Sequence, residues 1–531
     1  MKVSSYVNGQ WHISNDAGVE IYHAVSGDPV AQISSQGIDF AAVATYGRNV
    51  GGTALRQMTL HERANMLKHL GKYLLERKQE FYTLSACTGA TQLDSWVDIE
   101  GGIQTLFSYS GMVRREFSNE TYAIEGPSEA LSAGGSFVGR HILVPKEGVA
   151  VHINAFNFPC WGMLEKIAPS LAAGVPVIVK PASVSCYLTQ LMVKAIVESG
   201  LLPEGAIQLI CGGVGDLLDQ LNEQDVVTFT GSAVTGQKLK SHANIMANSI
   251  PFTMEADSLN YSILGQQATP DTPEFDLFVK SLVTEMTVKA GQKCTAIRRA
   301  IVPANLMDAV STAVIGRLQK MTMGDPAQEG VRMGPLVGRD QVADTWDQLN
   351  RLKQHTQVIY GGSQDFALHS GNREGGAFFP ATLLVCDNPL TATLPHEVEA
   401  FGPVSVLMPY NNIDEAIAIT KLGRGSLVGS LVSDDPIEAQ QIVLGTAAYH
   451  GRLLVLNQAC AKESTGHGSP LPMLVHGGPG RAGGGEELGG IGSVKHYLQR
   501  TAIQGHPSML TEITQRYQYG GVYKERDVHP F

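Results

Sequence analysis

From Gly148 onward the sequence alternates short apolar runs with amphipathic segments, and this alternation limits what the chain can fold into. Gly148-Val149-Ala150-Val151-His152-Ile153 reads as a buried strand, Phe158-Pro159 opens a helix running to about Ala173, and Val175 to Val179 is a second strand. A helix with Leu188, Leu191, Met192, Ala195 and Ile196 on one face follows, closed by Gly200. Then come a strand at Ala206 to Ile210, a helix at Asp216 to Leu221, a strand at Val226 to Phe229 and a helix after Thr230-Gly231-Ser232. Strands alternating with helices at this spacing mean a parallel sheet covered on both faces, which takes ligands beyond the carboxyl ends of its strands. The strand ends carry Asn154 to Pro159, Lys180-Pro181-Ala182-Ser183, Phe229 to Gly236, and Phe252-Thr253-Met254-Glu255-Ala256-Asp257. Gly231 and Gly236 bracket a helix start, where unpaired N–H groups and the helix dipole favour an anion such as a pyrophosphate.

The first third is mixed. Tyr6-Val7, Asn8-Gly9 and Gln10 to Ile13 read as a hairpin. Thr59-Leu60-His61-Glu62 is a capping box that opens a helix with Leu60, Ala64, Leu67, Leu70 and Leu74 on one face. Glu125 to Gly148 looks like an excursion of strands away from the main body, read as an oligomerisation arm. At 531 residues more than one domain is expected. A net charge of -11 without a Lys/Arg run argues against a nucleic-acid partner. The seven cysteines contain no C-x-x-C pair, so neither a disulfide framework nor a zinc site is expected. The N-terminus has no apolar signal core, and the most apolar stretch, Ile167 to Val179, is interrupted by two prolines and a glycine. The expectation is therefore a cytoplasmic protein with no membrane partner.

One short loop stands out, Ala290-Gly291-Gln292-Lys293-Cys294-Thr295. The helix before it is legible, with Thr272 as cap, Pro273 in the first turn, and Phe275, Phe278, Val279, Leu282, Val283 and Met286 at helical spacing. Gly291 is expected to stop that helix, which places Cys294 just past its end, open to a substrate. A lone Cys is most often a small buried apolar residue; what sets this one apart is its company.

Asn157-Phe158-Pro159, Lys180-Pro181-Ala182, Phe229-Thr230-Gly231-Ser232, Glu255, Gly291-Gln292-x-Cys294, Glu399-Ala400-Phe401-Gly402-Pro403 and Gly485-Glu486-Glu487-Leu488-Gly489 occur in this order. Together they resemble the aldehyde dehydrogenase superfamily over nearly the whole chain. More closely, His152 to Gly162, Glu255-Ala256-Asp257-Ser258-Leu259-Asn260 and His476 to Gly485 look like the dehydrogenase part of the bifunctional ring-opening enzymes of bacterial phenylacetate degradation, and are also similar to their relatives in aerobic benzoyl-CoA degradation.

The resemblance implies an α/β aldehyde dehydrogenase fold with three parts. A Rossmann-like cofactor domain would span 1–124 and 148–257, with 468–491 returning to it, and an α/β catalytic domain 258–467. A small β oligomerisation arm and tail would take 125–147 and 492–531, its C-terminal strand near Val494 to Ile503, in a homodimer or higher homo-oligomer. The implied activity is NADP-dependent oxidation of a semialdehyde whose far end is a CoA thioester. The 3-oxo-5,6-dehydrosuberyl-CoA type comes first; the alternatives are the 3,4-dehydroadipyl-CoA type, a general aldehyde dehydrogenase, or a catalytically silent binding module.

In that chemistry Cys294 is the nucleophile, its thiolate fraction raised by a nearby helix end or the nicotinamide. Asn157 and the Cys294 N–H hold the oxyanion. Glu255 is the general base that hydrolyses the acyl-enzyme, so the product is a free acid. Gly231, Ser232 and Gly236 face the pyrophosphate, Glu399 the nicotinamide ribose, and Phe401 belongs to the same cofactor site. Ser183 stands where NAD-preferring relatives often carry a glutamate; with Lys180 nearby this favours NADP, NAD being the alternative. Asp257 departs from the common pattern and leaves an acidic group without a named partner. Cys160 is expected in the core, Lys293 either meets an anionic substrate or points to solvent, and the loop His467 to Arg481 is a candidate for contacting CoA. In the bifunctional relatives a hydratase follows the dehydrogenase; here Asp527-Val528-His529-Pro530-Phe531 resembles the junction to it, and hydratase activity is expected to be absent.

Overall fold

The computed structural model describes residues 1–485 and 488–522. Two seven-stranded sheets carry the fold. In the first the order is Phe252–Glu255, Val226–Thr230, Ala150–Ile153, Val177–Lys180, Ile207–Leu209, Ser5–Val7 and Gln10–His12. Its first five strands run parallel, as the alternation with helices requires, and the N-terminal hairpin adds two antiparallel strands beside Ile207–Leu209. Asn8 and Gly9 both adopt left-handed φ, +52° and +74°, which a two-residue hairpin turn of matching twist demands.

The second sheet runs Gln357–Tyr360, Thr382–Val385, Val404–Tyr410, Arg299–Pro303, Tyr261–Leu264, Ser426–Val432 and His450–Leu456, parallel except for the first strand. Ala150–Ile153 and Tyr261–Leu264 are buried at every position, the polar His152 and Ser262 included, as strands inside a sheet covered on both faces are. A three-stranded antiparallel sheet of Leu498–Gly505, Val138–Pro145 and Ala123–Ala130 stands apart from both. The arm strand therefore begins at Leu498. Val494 lies instead in the helix Gly490–His496, because Val494, Tyr497 and Leu498 are drawn into the core of the first sheet.

Two helices bear on the placement of the strand ends. Leu60–Glu76 opens with the expected capping box, Thr59 and Glu62 each bonding the other's backbone N–H. Pro159–Ala173 begins with proline and ends at Gly174, φ +97°. Its preceding residue, Phe158, cannot cap it, and Asp98 does so from another helix: Oδ1 accepts the N–H groups of Cys160 at 3.0 Å and Trp161 at 2.7 Å. Between Asp216 and Leu221 the chain forms only a single tight turn, Leu217–Gln220, because its bonds run three residues back, Leu217 to Val214 and Asp219 to Asp216. Among the described residues no helix is long and apolar enough to cross a membrane, and no group of His, Cys, Asp and Glu could hold a metal.

Candidate active site

The helix before Cys294 is Pro273–Thr287, capped by Thr272 as expected, and it stops before Gly291. Lys289, Ala290 and Gly291 take left-handed φ in succession, +53°, +50° and +69°. Two residues from the N-terminal part of the chain hold this turn: Asp94 Oδ1 accepts the Lys289 N–H at 2.7 Å, and Lys289 Nζ donates to Thr88 Oγ1 at 3.0 Å. Gly291 is required, since a Cβ there would meet the Gly402 carbonyl at 2.3 Å. Cys294 thus sits in a loop beyond the helix. Three side chains tie this loop down. Arg298 donates to the carbonyls of Gly402 (2.7 Å), Gly291 (2.9 Å) and Lys293 (3.2 Å); Asn157 Nδ2 donates to Gln292 O at 3.0 Å; Asn260 Nδ2 donates to Cys294 O at 2.7 Å.

Cys294, Glu255 and Asn157, expected from the sequence, line one cavity of about 370 Å³. The thiol is pushed well above its ordinary pKa, first by burial and then by the carboxylate of Glu255, with Glu165 and Glu399 adding to it. The chain's own groups thus disfavour the thiolate. Glu165, Lys166 and His476 line the same cavity and carry no sequence signal beyond lying in or near recognised segments. Glu165 Oε2 accepts from Trp161 Nε1 at 2.9 Å and lies 3.5 Å from His476 Nε2, while Lys166 Nζ donates to Thr230 Oγ1 at 2.7 Å.

Contacts place three further features singled out in the sequence. Lys293 does not point to solvent: it is buried, with Nζ 2.7 Å from Glu285 Oε2, and both residues line the cavity. Cys160 is fully buried in the core. Of the loop His467 to Arg481, residues His467 to Pro470 and His476 line the cavity. Arg481 does not; it donates to the carbonyls of His396 (3.1 Å) and Glu397, toward Glu399 and Asp257.

On that other side lie the expected cofactor residues. The Glu399 side chain is 8% exposed; Oε2 accepts the Ser258 N–H at 3.0 Å, and Oε1, 3.5 Å from Arg298 Nε, has no hydrogen-bond donor. Phe401 packs edge-on to Phe156 at 5.8 Å and under the Arg298 guanidinium at 5.5 Å. Ser232 caps the helix Ala233–Lys240 through the Thr235 N–H, and Asp257 has a partner after all, since Oδ1 accepts the Ala233 N–H at 2.9 Å. Gly231 and Gly236 are held small by packing: a Cβ would meet Phe229 at 2.7 Å or Met254 Sδ at 2.4 Å. Lys180 is buried with Nζ on the Pro181 carbonyl at 2.7 Å, and Ser183 is exposed. An orphaned buried carboxylate oxygen beside a capped helix start fits a dinucleotide. Glu486 and Glu487 lie outside the described residues, as does the tail from Asp527 to Phe531.

The profile of the Aldehyde dehydrogenase family matches residues 11–503. The chain belongs to the aldehyde dehydrogenase family. This aldehyde dehydrogenase is 44% identical over 480 residues to 3,4-dehydroadipyl-CoA semialdehyde dehydrogenase of Aromatoleum evansii, covering 90% of this chain and 93% of that one. It is 50% identical over 200 residues to Protein MaoC of Klebsiella aerogenes, covering 38% of this chain and 58% of that one. In fold it matches a point mutant of betaine aldehyde dehydrogenase from Staphylococcus aureus in complex with NAD+, with a TM-score of 0.80 at 21% identity over 94% and 97% of the two chains.

Proposed function

We propose that this aldehyde dehydrogenase oxidises a CoA-linked semialdehyde of the 3,4-dehydroadipyl-CoA type to the free acid, using NADP. The observation that carries the chemistry is the meeting of Cys294, Glu255 and Asn157 at one cavity; the substrate class rests on the 44% identity to the Aromatoleum enzyme over nearly both whole chains. Cys294 gives up its thiol proton to water, and the thiolate sulfur adds to the aldehyde carbon, giving a thiohemiacetal oxyanion. Asn157 has one amide N–H on Gln292 and a second left for that oxygen, beside the Cys294 N–H. Collapse of the oxyanion expels hydride and leaves a thioester on Cys294. Glu255 takes a proton from water, the hydroxide attacks the thioester carbon, and the acid departs as the thiol is restored. When bound, NADP supplies the hydride acceptor; Glu399, Ser232 and Phe401 would hold it.

NADP is favoured over NAD by Ser183, small and exposed beside the end of Val177–Lys180, with no carboxylate to repel a 2′-phosphate. The 3-oxo-5,6-dehydrosuberyl-CoA substrate is the second reading, on the motif His476 to Gly485. The arm sheet, with Leu498–Gly505 and Ala123–Ala130 as its edges, is proposed to join copies of the chain into a homodimer or larger assembly.

The test is absorbance at 340 nm with the two CoA semialdehydes, a simple aldehyde of equal length, and NADP against NAD. A preference for the dehydroadipyl compound with NADP is expected. Equal rates on the simple aldehyde would leave a general aldehyde dehydrogenase, and a preference for NAD would overturn the cofactor assignment.

A further inference from the structure

Asn260 is fully buried immediately before the strand Tyr261–Leu264. A primary amide offers two N–H donors and an oxygen with two lone pairs, and burial makes each unmet one costly. Here all four are used. Nδ2 donates to the carbonyls of Cys294 at 2.7 Å and Ala296 at 3.0 Å. Oδ1 accepts from Ser258 Oγ at 2.7 Å and from the Val428 N–H at 3.1 Å. The orientation of the amide is itself fixed, because Ser258 Oγ accepts the Leu427 N–H at 2.9 Å and so turns its own proton toward Asn260.

We propose that Asn260 is a positioning residue for the nucleophile, holding the Cys294 main chain so that the thiol and the backbone N–H face the aldehyde together. Each peptide unit is rigid, so holding its oxygen fixes its N–H on the opposite side. Arg298 holds the Lys293 carbonyl at 3.2 Å, which sets the direction of the Cys294 N–H. Asn260 holds the next carbonyl, that of Cys294. With both planes flanking its Cα pinned, Cys294 cannot turn its backbone, and its side chain springs from a fixed origin. The loop needs such a brace, since neither helix nor strand contains residues 292–298. Through the Ser258 N–H on Glu399 Oε2, the same segment also reaches the cofactor side.

This inference rests on Cys294 being the nucleophile, so the experiment carries a control for that. Full-length Asn260→Ala, Asn260→Ser and Ser258→Ala are compared with the parent and with Cys294→Ala. The readouts are single-turnover hydride release, cofactor affinity by nucleotide fluorescence, the KM and kcat split, and the thermal transition. Cys294→Ala must abolish hydride release; if it does not, the nucleophile assignment fails before the brace is judged. A positioning role predicts that Asn260→Ser keeps a cooperative transition and a cofactor affinity within ~3-fold, while single-turnover hydride release falls ~100-fold, the order of loss that about 1 Å of misplacement brings. Ser258→Ala, which frees the amide to rotate, should lose ~10-fold in the same step with KM little changed. Asn260→Ala adds a second view if it folds, and the other two variants decide the matter if it does not. Hydride release within threefold of the parent in folded Asn260→Ser overturns the proposal, as does a loss that merely tracks weaker cofactor binding.

Discussion

Glu399 is a carboxyl group whose burial pushes its pKa up to about 7, against the pull of Arg298 and with Asp257 adding to the rise. In the unfolded chain the group has a value near 4.5, so between the two values the folded protein binds more protons than the unfolded one. Its contribution to stability is full below about 4.5 and is lost as the pH rises through about 7. Urea unfolding of the free enzyme from pH 5 to 8 should show that decline, and Glu399→Gln should flatten it; equal slopes in both proteins would assign the pH dependence elsewhere. Cys294 makes the complementary case. Its thiol is held protonated by burial and by Glu255, so Glu255→Gln should be alkylated by iodoacetamide several-fold faster at pH 7. Under the proposed chemistry the same variant still releases one hydride per site but turns over slowly, because the thioester waits for a base. A variant without the burst, or with ordinary turnover, would remove Glu255 from that role.

At the scale of elements, the sequence makes legible what neighbours in the chain determine. The capping box at Thr59, the Asn8-Gly9 hairpin and the alternation of strands and helices after Gly148 all rest on local bonds and periodicity, and the structure contains them. The helix before Cys294 ends earlier than Gly291 suggests, because Asp94 and Thr88, about two hundred positions away in the chain, hold the left-handed turn at Lys289. Cys294, Glu255 and Asn157 are legible through motifs, whereas the grips of Arg298 and Asn260 on main-chain carbonyls become visible only once the segments meet. Lys293 is likewise illegible, since no local pattern names Glu285 as its partner. Asp98 is a cap of the same distant kind, and burial pushes its pKa up to about 6. Asp98→Ala should cost about 1–2 kcal/mol by chemical denaturation, the usual range for a lost cap, and Asp98→Asn, which keeps an accepting oxygen, less than half of that. Equal losses would show that charge rather than capping matters there.

Over the whole molecule, the first sheet is built from widely separated parts of the chain. Its strands are complete by Glu255, but its core also takes Val494, Tyr497 and Leu498, and the helix Gly490–His496 packs on Pro159–Ala173 and Gln92–Glu116. The Tyr497 hydroxyl bonds both Thr228 and His152 on the strands themselves, at 3.3 Å each. A charge placed there should therefore damage the first sheet and not only the arm: Val494→Asp, at a fully buried position, should lower stability by several kcal/mol and abolish dinucleotide binding together with activity. If only self-association changed, the helix would belong to the arm alone. The long separation also sets a timetable for synthesis. A ribosome adding roughly 5–20 residues per second needs roughly 12–50 s to travel from Glu255 to Val494. For that interval the nascent chain carries a sheet whose closing helix has not yet been made, with the entire second sheet emerging in between. The half-made protein is thus obliged to shelter an open apolar surface while it waits, and the growing chain, rather than the finished enzyme, is the stage at which chaperones have most to protect.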